Sequence, residues 1–408
     1  MDRIVLHGDV DYCYAQIEIR QHPEYKGRPL AVGGSREDRH GIILAKCPLA
    51  KKTGVKTGHA LWQAKELCPS LQIISPNMNL YVETTDRIRE IYSDYTDKVE
   101  GFGIDESFID LTGCTKDGKT AASDMQKRIK TETGLTVSFG VAWNKTIAKL
   151  GSDLYKPNGL AVITRENFRE IVWPLPAEDL LMVGRATKYK LNNMGIWTIG
   201  DIAACDPERL KRRFGKHGLV LSAYANGLEN SPVSRENNLP VEKSIGNSWT
   251  VPRDLENDND VWITLLGLCE GVGMRLRKGG WLSSLIEFSY RTTNLQWCSH
   301  QRKLSAATDI TTEILDVAFS LYKEARVLPL RSIGVRAAAL MPCNTPQQLD
   351  LFDNYITRDK MRALDSAMDT IRGRFGYDSI QRGTRYIDKD LGKLNALKHT
   401  VHPVGFQG

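Results

Sequence analysis

The chain has 408 residues, 41% of them hydrophobic and 25% charged, with a formal net charge of +6. That length exceeds a single compact core, so about two to four domains are expected, and the composition is that of a soluble globular protein rather than a disordered one. No apolar run is long enough to span a bilayer, and the mild basic excess permits a polyanionic partner without demanding one. The eight cysteines are scattered without a CxxC pair, so neither a zinc site nor a disulfide framework is indicated. No leader peptide precedes the first strand, and a cytoplasmic location with reduced thiols is expected.

Ile4, Val5 and Leu6 read as a buried strand that ends at Asp9. A turn through Val10, Asp11, Tyr12, Cys13 and Tyr14 leads to a short amphipathic helix around Gln16, Ile17 and Glu18, which stops near Pro23. Leu30-Ala31-Val32 and Ile42 to Ala45 read as strands separated by a Gly33 to Arg39 loop. Lys46, Lys51, Lys52 and Lys56 then crowd together, which suits a solvated face or a triphosphate contact. Pro76 to Val99 reads as one long helix with Leu80, Val82, Ile88, Ile91 and Tyr95 as its buried positions. Phe108, Ile109 and Leu111 form a strand pattern that begins just after Asp105 and Glu106. A helix around Ala121 to Thr131, a strand Thr136 to Ala142, a helix Asn144 to Leu150, a tight turn Lys156-Pro157-Asn158-Gly159 and a strand Leu160 to Ile163 follow.

Trp173-Pro174-Leu175-Pro176 reads as a linker. From Leu180 a hairpin containing Gly184 opens a helix that runs to Met194 and stops at Gly195. Lys211, Arg212, Arg213 and Lys216 suit a solvated helix face or a contact with duplex backbone. A charged linker from about Ser231 to Pro240 precedes a last folded unit, which begins at Lys243 and ends near Met341. Its strands include Ser284 to Tyr290 and Arg331 to Ala337, and its helices fill about 258–278 and 308–326. Arg331 shares a strand face with Ile333 and Val335, which leaves its exposure open. Gln347 to Asp353 sets Leu349, Leu351 and Phe352 in a polar stretch. Such a segment either docks on the protein's own core or anchors in a partner's hydrophobic pocket. Arg358 to about Phe375 has a helical pattern, and residues beyond Gln381 read as weakly structured.

The two acidic turns are the informative pair. Each alone suits a turn, a helix cap or a solvated loop. Both are embedded in apolar strands, where carboxylates are costly. If the strands are neighbours in one sheet, Asp9, Asp105 and Glu106 converge, and like charges that close need a cation among them. Hard oxygen ligands suit Mg²⁺, and the arrangement is that of a two-metal phosphoryl-transfer site.

The order D-V-D-Y-C-Y-A-Q-I-E, then G-I-D-E-S-F-I-D-L, then F-G-V-A-W-N-K-T-I-A-K-L and Y-K-P-N-G-L resembles a Y-family translesion DNA polymerase of the DinB/UmuC type. The resemblance runs from the N-terminus to about residue 343. It implies an α+β multidomain protein with a ferredoxin-like palm (1–15 and 77–166), small fingers (16–76) and a helical helix-hairpin-helix thumb (167–232). A linker (233–240), an α/β little finger (241–343) and a tail (344–408) complete the implied layout. The implied activity is low-fidelity, low-processivity, template-directed DNA synthesis, by two-metal transfer of a dNTP to a primer 3′-OH.

Under the resemblance Asp9, Asp105 and Glu106 are catalytic and hold two Mg²⁺ ions, with the Val10 carbonyl as a further ligand and Mn²⁺ able to substitute. Asp11 and Ser107 are expected to support them. Tyr14 falls at the family's steric gate against a 2′-OH, although a plain core aromatic also suits the position. Cys13, Tyr14, Lys51 and Lys156 are expected at the nucleotide, with Lys156 at the β/γ-phosphates. Pro48 stands where the family has a Tyr and Lys51 where it has an Arg, so a hydroxyl is lost and a point charge replaces a bidentate fork. Gly184 in the thumb, with Met182 where the hairpin often has a first glycine, and Lys243, Arg291 and Arg331 in the little finger are candidate DNA contacts. Gln348-Leu349-Asp350-Leu351-Phe352 resembles the bacterial sliding-clamp-binding peptide. The implied partners are primer-template DNA, dNTP and the clamp, with no membrane, for a chain expected to be a monomer. Two readings of other classes stay open. A palm-type nucleotidyl cyclase leaves the thumb, little finger and clamp peptide without a reason, and Pro48 keeps open a non-catalytic, clamp- and DNA-bound accessory protein.

Overall fold

The computed structural model describes residues 3–34, 41–235, 242–346 and 355–394. They form two compact units that meet in sequence between Leu239 and Pro240.

In the first unit β1 (Val5–Val10) leads into α1 (Cys13–Gln21). A small sheet follows, of β2 (Leu30–Gly33), β3 (Ile43–Lys46) and β4 (Gln72–Ile74) in the order β3-β2-β4. Helices α2 (Pro48–Lys52) and α3 (Leu61–Leu67) lie between β3 and β4 in the chain. Next come α4 (Met78–Ser93), β5 (Val99–Gly101), β6 (Glu106–Asp110), α5 (Gly118–Thr133), β7 (Val137–Ala142), α6 (Lys145–Leu154) and β8 (Leu160–Val162). The main sheet has five strands in the order β5-β6-β1-β7-β8. Central β1 is antiparallel to both β6 and β7, and the strands up to β7 have the ferredoxin-like order, with β8 added parallel to β7.

The two faces of β1 have different covers. Leu6 and Gly8 face α4 and α5, where a Cβ on Gly8 would lie 2.7 Å from the Tyr92 hydroxyl. Val5, His7 and Asp9 face α6. That helix sits unusually deep, because Gly140 on β7 has no side chain: a Cβ there would lie 1.9 Å from the Ala148 carbonyl oxygen. The glycine therefore sets how far the α6 side chains reach toward the end of β1.

The α4 helix is shorter than the sequence pattern implied, and its buried face agrees with that pattern only at Ile88 and Ile91. Asn77 caps it, its side chain accepting from the Leu80 N–H, and Val99 belongs to β5. Tyr81, Thr84, Thr85, Ile88, Ile91 and Tyr92 are buried, whereas Leu80, Val82 and Tyr95 are only partly covered. Two threonines on the core face disguised the periodicity. Their hydroxyls donate to the Leu80 and Val82 carbonyls, so they can be buried at little cost.

The chain continues through α7 (Phe168–Val172), α8 (Arg185–Asn192), α9 (Ile199–Ala204), α10 (Pro207–Phe214) and α11 (Lys216–Ala225). Their apolar residues, among them Phe168, Leu191, Ile202 and Leu221, share a core with Trp143 and Ile147 at the start of α6. The helix expected from Leu180 starts at Arg185, after Met182 turns the chain at φ 76°.

The second unit contains β9 (Ser244–Leu255), α12 (Asp258–Gly279), β10 (Trp281–Thr292), β11 (Trp297–Thr308), α13 (Thr311–Ala325) and β12 (Leu330–Pro342). The antiparallel sheet has the order β11-β10-β12-β9, and α12 and α13 pack on one face over Ile286, Phe288, Ile333 and Val335. This unit does not end at residue 343. Helix α14 (Tyr355–Phe375) and three short turns, Tyr377–Ser379, Gly383–Tyr386 and Leu391–Lys393, belong to it. The expectation of weak structure beyond Gln381 is corrected for residues 382–394, where Leu391 and Leu394 enter the core beside α12; residues 395–408 lie outside the described residues.

A buried charge cluster fixes this return. Arg372 Nη2 donates to Glu270 Oε2 at 3.1 Å, and Arg385 Nη1 donates to the Tyr377 hydroxyl at 2.8 Å while lying 3.5 Å from Glu270 Oε2. Ion pairs between residues a hundred positions apart leave no periodic trace in sequence, which is why these turns were missed. Glu270→Ala strands two buried guanidinium groups and is expected to lower stability by about 3–5 kcal/mol. Urea unfolding followed by tryptophan fluorescence measures it, and a loss below about 1 kcal/mol would show that water already compensates the cluster.

Candidate active site

The β1–β6 register sets Asp9 directly opposite Glu106. Asp105 precedes Glu106 in the turn, and its carbonyl accepts from the Val10 N–H at 3.0 Å. The three carboxylates therefore come from the adjacent ends of two paired strands, with the Val10 carbonyl at the end of the same β1. Arg89 of α4, which the sequence pattern did not single out, holds the acidic turn by donating to the Gly103 and Ile104 carbonyls at 2.9 and 2.8 Å.

Burial dominates the electrostatics here. It pushes the Asp9 carboxyl up to about 7, with Glu106 and Asp105 adding to the rise and Lys156 opposing it. Burial and the Glu106 charge raise Asp105 as well. Burial would also raise Glu106, but the His7 hydrogen bond and the charges of His7 and Lys149 win and hold it at about 2. Two of the three acids are thus poorly compensated as anions, which is the condition a multivalent cation relieves.

The cations nearest to hand belong to α6 and the turn after it. Lys156 Nζ lies 2.5 Å from Asp9 Oδ2 and 2.8 Å from Asp153 Oδ1. Lys149 Nζ lies 2.5 Å from Glu106 Oε2. Fully buried His7 places Nε2 3.1 Å from Glu106 Oε2 and Nδ1 2.8 Å from Ser152 Oγ. Burial pushes the His7 pKa down, and because the Glu106 carboxylate can only accept, Nε2–H is the donor of this hydrogen bond. Lys149, His7 and Ser152 are additions to the residues expected here. Their signal in the sequence was the Lys149-Ser152-Lys156 spacing on one helix and turn.

Among the described residues no three His, Cys, Asp or Glu side chains stand ready-made in metal-binding geometry. Lys156 and Lys149 instead each engage one of these carboxylates, Asp9 and Glu106 respectively. The donor set itself, three hard carboxylates on adjacent strand ends with two short of positive charge, fits a divalent ion of the Mg²⁺ class.

The nucleotide-side residues cluster at the turn after β1. Tyr12 adopts φ 38°, ψ 44° and starts α1, so Cys13 and Tyr14 open the first helical turn. Tyr14 stacks on Tyr81 of α4, with centroids 4.5 Å apart and planes 11° from parallel. The Tyr81 hydroxyl donates to Glu18, which fixes the pair. Burial, then the nearby Asp105 charge, push Tyr14 up to about 12. Asp11 links two parts of the site. Its Oδ1 accepts from Ser138 Oγ and its Oδ2 from the Asn158 N–H, both at 2.7 Å, so the turn bearing Lys156 is tied to β1. Ser107 is buried and paired across from Gly8. Lys51 stands exposed in the last turn of α2, which Pro48 opens.

The remaining expected residues lie elsewhere. Gly184 precedes α8 with open space where a Cβ would be, and Met182 takes the left-handed conformation that glycine favours. In the second unit Lys243 is exposed and Arg331 is half-buried. Arg291 is occupied within its own hairpin, where Nε donates to the Leu295 carbonyl at 3.3 Å and the guanidinium lies 5.7 Å from the Trp297 ring centroid. The sheet face away from α12 presents Ser289, Ser299, Gly334 and Ser248 around an Arg336–Glu287 ion pair. Gln348, Leu349, Asp350, Leu351 and Phe352 lie outside the described residues.

The model of the impB/mucB/samB family matches residues 8–153, and the model of that family's C-terminal domain matches residues 242–351. The chain is 44% identical over 400 residues to DNA polymerase IV of Acetivibrio thermocellus, covering 97% of this chain and 100% of that one. It is 36% identical over 394 residues to DNA polymerase IV 2 of Bacillus subtilis, covering 93% and 94% of the two chains. Among solved structures a Y-family DNA polymerase chimera matches with a TM-score of 0.74 at 25% identity, over 83% of this chain and 99% of the other.

Proposed function

The chain belongs to the impB/mucB/samB family of Y-family DNA polymerases, and we propose that Asp9, Asp105 and Glu106 are the carboxylates on which it extends a primer. It is a DNA-directed DNA polymerase of translesion synthesis, whose substrates are primer-template DNA and a dNTP. The observation that carries the assignment of the site is the Asp9–Glu106 register, with Asp105 beside it and Lys156 and Tyr14 at the same strand end.

Asp9, Asp105, Glu106 and the Val10 carbonyl would hold two divalent ions, Mg²⁺ by the hardness of the donors with Mn²⁺ as a substitute. Bound there, such ions lower the pKa of the primer 3′-hydroxyl and neutralise the charge that develops on the leaving pyrophosphate. The chain's own residues do the positioning. The first-turn N–H groups of α1, that of Cys13 among them, lack intrahelical partners and suit phosphate oxygens. Lys156, aimed by the Asp11–Asn158 hydrogen bond, neutralises the β- and γ-phosphates, and Lys51 adds a second point charge from α2. Tyr14, stiffened by Tyr81, closes the floor beneath the sugar.

The N–H groups at the start of α8 after Gly184 suit backbone phosphates of the duplex. In the second unit Lys243, Arg331 and the Ser- and Gly-rich sheet face around Arg336 suit a second stretch of backbone, and Arg291 contributes only if it leaves Trp297. Small fingers and backbone-only contacts imply low fidelity and low processivity. Gln348 to Phe352 would then tether the polymerase to a sliding clamp and raise its local concentration at the primer end.

Primer extension on a primed template, with each dNTP in Mg²⁺ and then in Mn²⁺, tests the reading. Template-directed incorporation supports it. A folded wild type that binds DNA and incorporates nothing overturns it in favour of the accessory role. Changing Leu351 and Phe352 together to Ala is expected to leave extension on bare DNA intact and to remove clamp stimulation; undiminished clamp binding would sink the tether.

A further inference from the structure

An alternating chain of charge joins the two carboxylates that face each other across β1 and β6. Glu106 Oε2 lies 2.5 Å from Lys149 Nζ, which lies 3.9 Å from Asp153 Oδ2. Asp153 Oδ1 lies 2.8 Å from Lys156 Nζ, which lies 2.5 Å from Asp9 Oδ2. Asp9 at one end is buried and Glu106 at the other is partly buried, whereas the Asp153 side chain in the middle is 53% exposed. Lys149 and Asp153 are four residues apart on α6, so they share a helix face. The Lys149 ammonium is also held from the side, 5.4 Å from the Phe102 ring centroid, and its side chain is only 18% exposed.

These contacts do something that the positioning of a triphosphate does not require. Lys156 has a substrate role in the reading above; Lys149 has none. Each ammonium engages a carboxylate oxygen that a divalent ion would need. Without either cation, three carboxylates would face one another in a buried site, which is strongly unfavourable. Asp153 offers both ammoniums a place to remain when the carboxylates are taken.

We propose that Lys149, together with Asp153 and Lys156, is an internal counter-ion that pairs with Glu106 and Asp9 and orients them until divalent ions arrive. Lys149 then stays on Asp153 as a positioning residue. The proposal rests on Asp9 and Glu106 being metal ligands. Lys149 opposes metal binding in the free enzyme while it stabilises the metal-free site. Removing it therefore has two effects of opposite sign, which mere damage to the fold does not produce.

The test is Mn²⁺ binding to the full chain without DNA or nucleotide, read from the electron paramagnetic resonance of free Mn²⁺, beside thermal melting in EDTA and in Mn²⁺. Lys149→Met is expected to bind Mn²⁺ about 5-fold more tightly than wild type, since one competing charge is gone. It is expected to melt below wild type in EDTA and to recover the difference in Mn²⁺, while Lys149→Arg follows wild type in both. Asp153→Asn, which removes the resting place, is expected to weaken Mn²⁺ binding by about 2- to 3-fold. If Lys149→Met binds no more tightly while Glu106→Ala abolishes binding, the counter-ion role is overturned and the metal ligands stand. If Asp153→Asn binds as wild type or better, the relay through Asp153 is overturned. If Glu106→Ala binds Mn²⁺ as well as wild type does, the ligand reading fails and the proposal falls with it.

Discussion

Asp105→Ala is expected to lower the rate of single-nucleotide incorporation by about 10³-fold or more, with DNA binding unchanged. Asp105 is the best of the three carboxylates for this experiment. Asp9 and Glu106 each neutralise a lysine, so removing either also frees a partly buried ammonium. Asp105 makes no ion pair among the described residues, and its carbonyl, not its carboxylate, ties the acidic turn to Val10. The substitution therefore removes one carboxylate and little else. The loss is expected to be large because nucleotidyl transfer consists mostly of positioning and charge neutralisation, which no other group nearby can supply. Rapid-quench incorporation measures it, with circular dichroism and duplex binding as controls. Activity within tenfold of wild type would remove Asp105 from the metal site.

Tyr14→Ala is expected to retain DNA synthesis and to lose about 10²-fold of its discrimination against ribonucleotides. Discrimination by a clash works only if the wall cannot yield. The wall here is a pair of stacked rings, and the second ring is anchored by the hydrogen bond from Tyr81 to Glu18 at the base of α1. Tyr81→Ala leaves the gate ring present but free to tilt, so an intermediate loss is expected for that variant. The ratio of kcat/KM for dNTP and rNTP on the same template measures both. Unchanged sugar discrimination in Tyr14→Ala would make Tyr14 a plain packing aromatic.

The strand ends that carry Asp9 and Glu106 were legible because alternation and apolar runs report on a local, two-residue period, and a carboxylate breaking such a run stands out. The α6 segment, the Lys156 turn and the two long helices α12 and α13 of the second unit were legible for the same reason. Their signals lie within a few residues of each other. The core face of α4 was legible only at Ile88 and Ile91, since Thr84 and Thr85 look polar in sequence and become core residues only once their hydroxyls bond to the helix carbonyls. The C-terminal turns were not legible, their anchor being a contact between Arg385 and Glu270.

The sequence by itself determined which residue types stand at the ends of β1 and β6, and hence the class of chemistry the site can perform. Only the tertiary structure decided what those residues touch. His7 and Glu106 are 99 positions apart and Lys156 and Asp9 are 147 apart, and each pair meets only because β1 lies between β6 and β7 with α6 pressed against Gly140. Periodicity carries the local geometry of a chain. The distance between charges, which sets how Lys149 and Lys156 pair with Glu106 and Asp9 here, is a property of the packed sheet and helix.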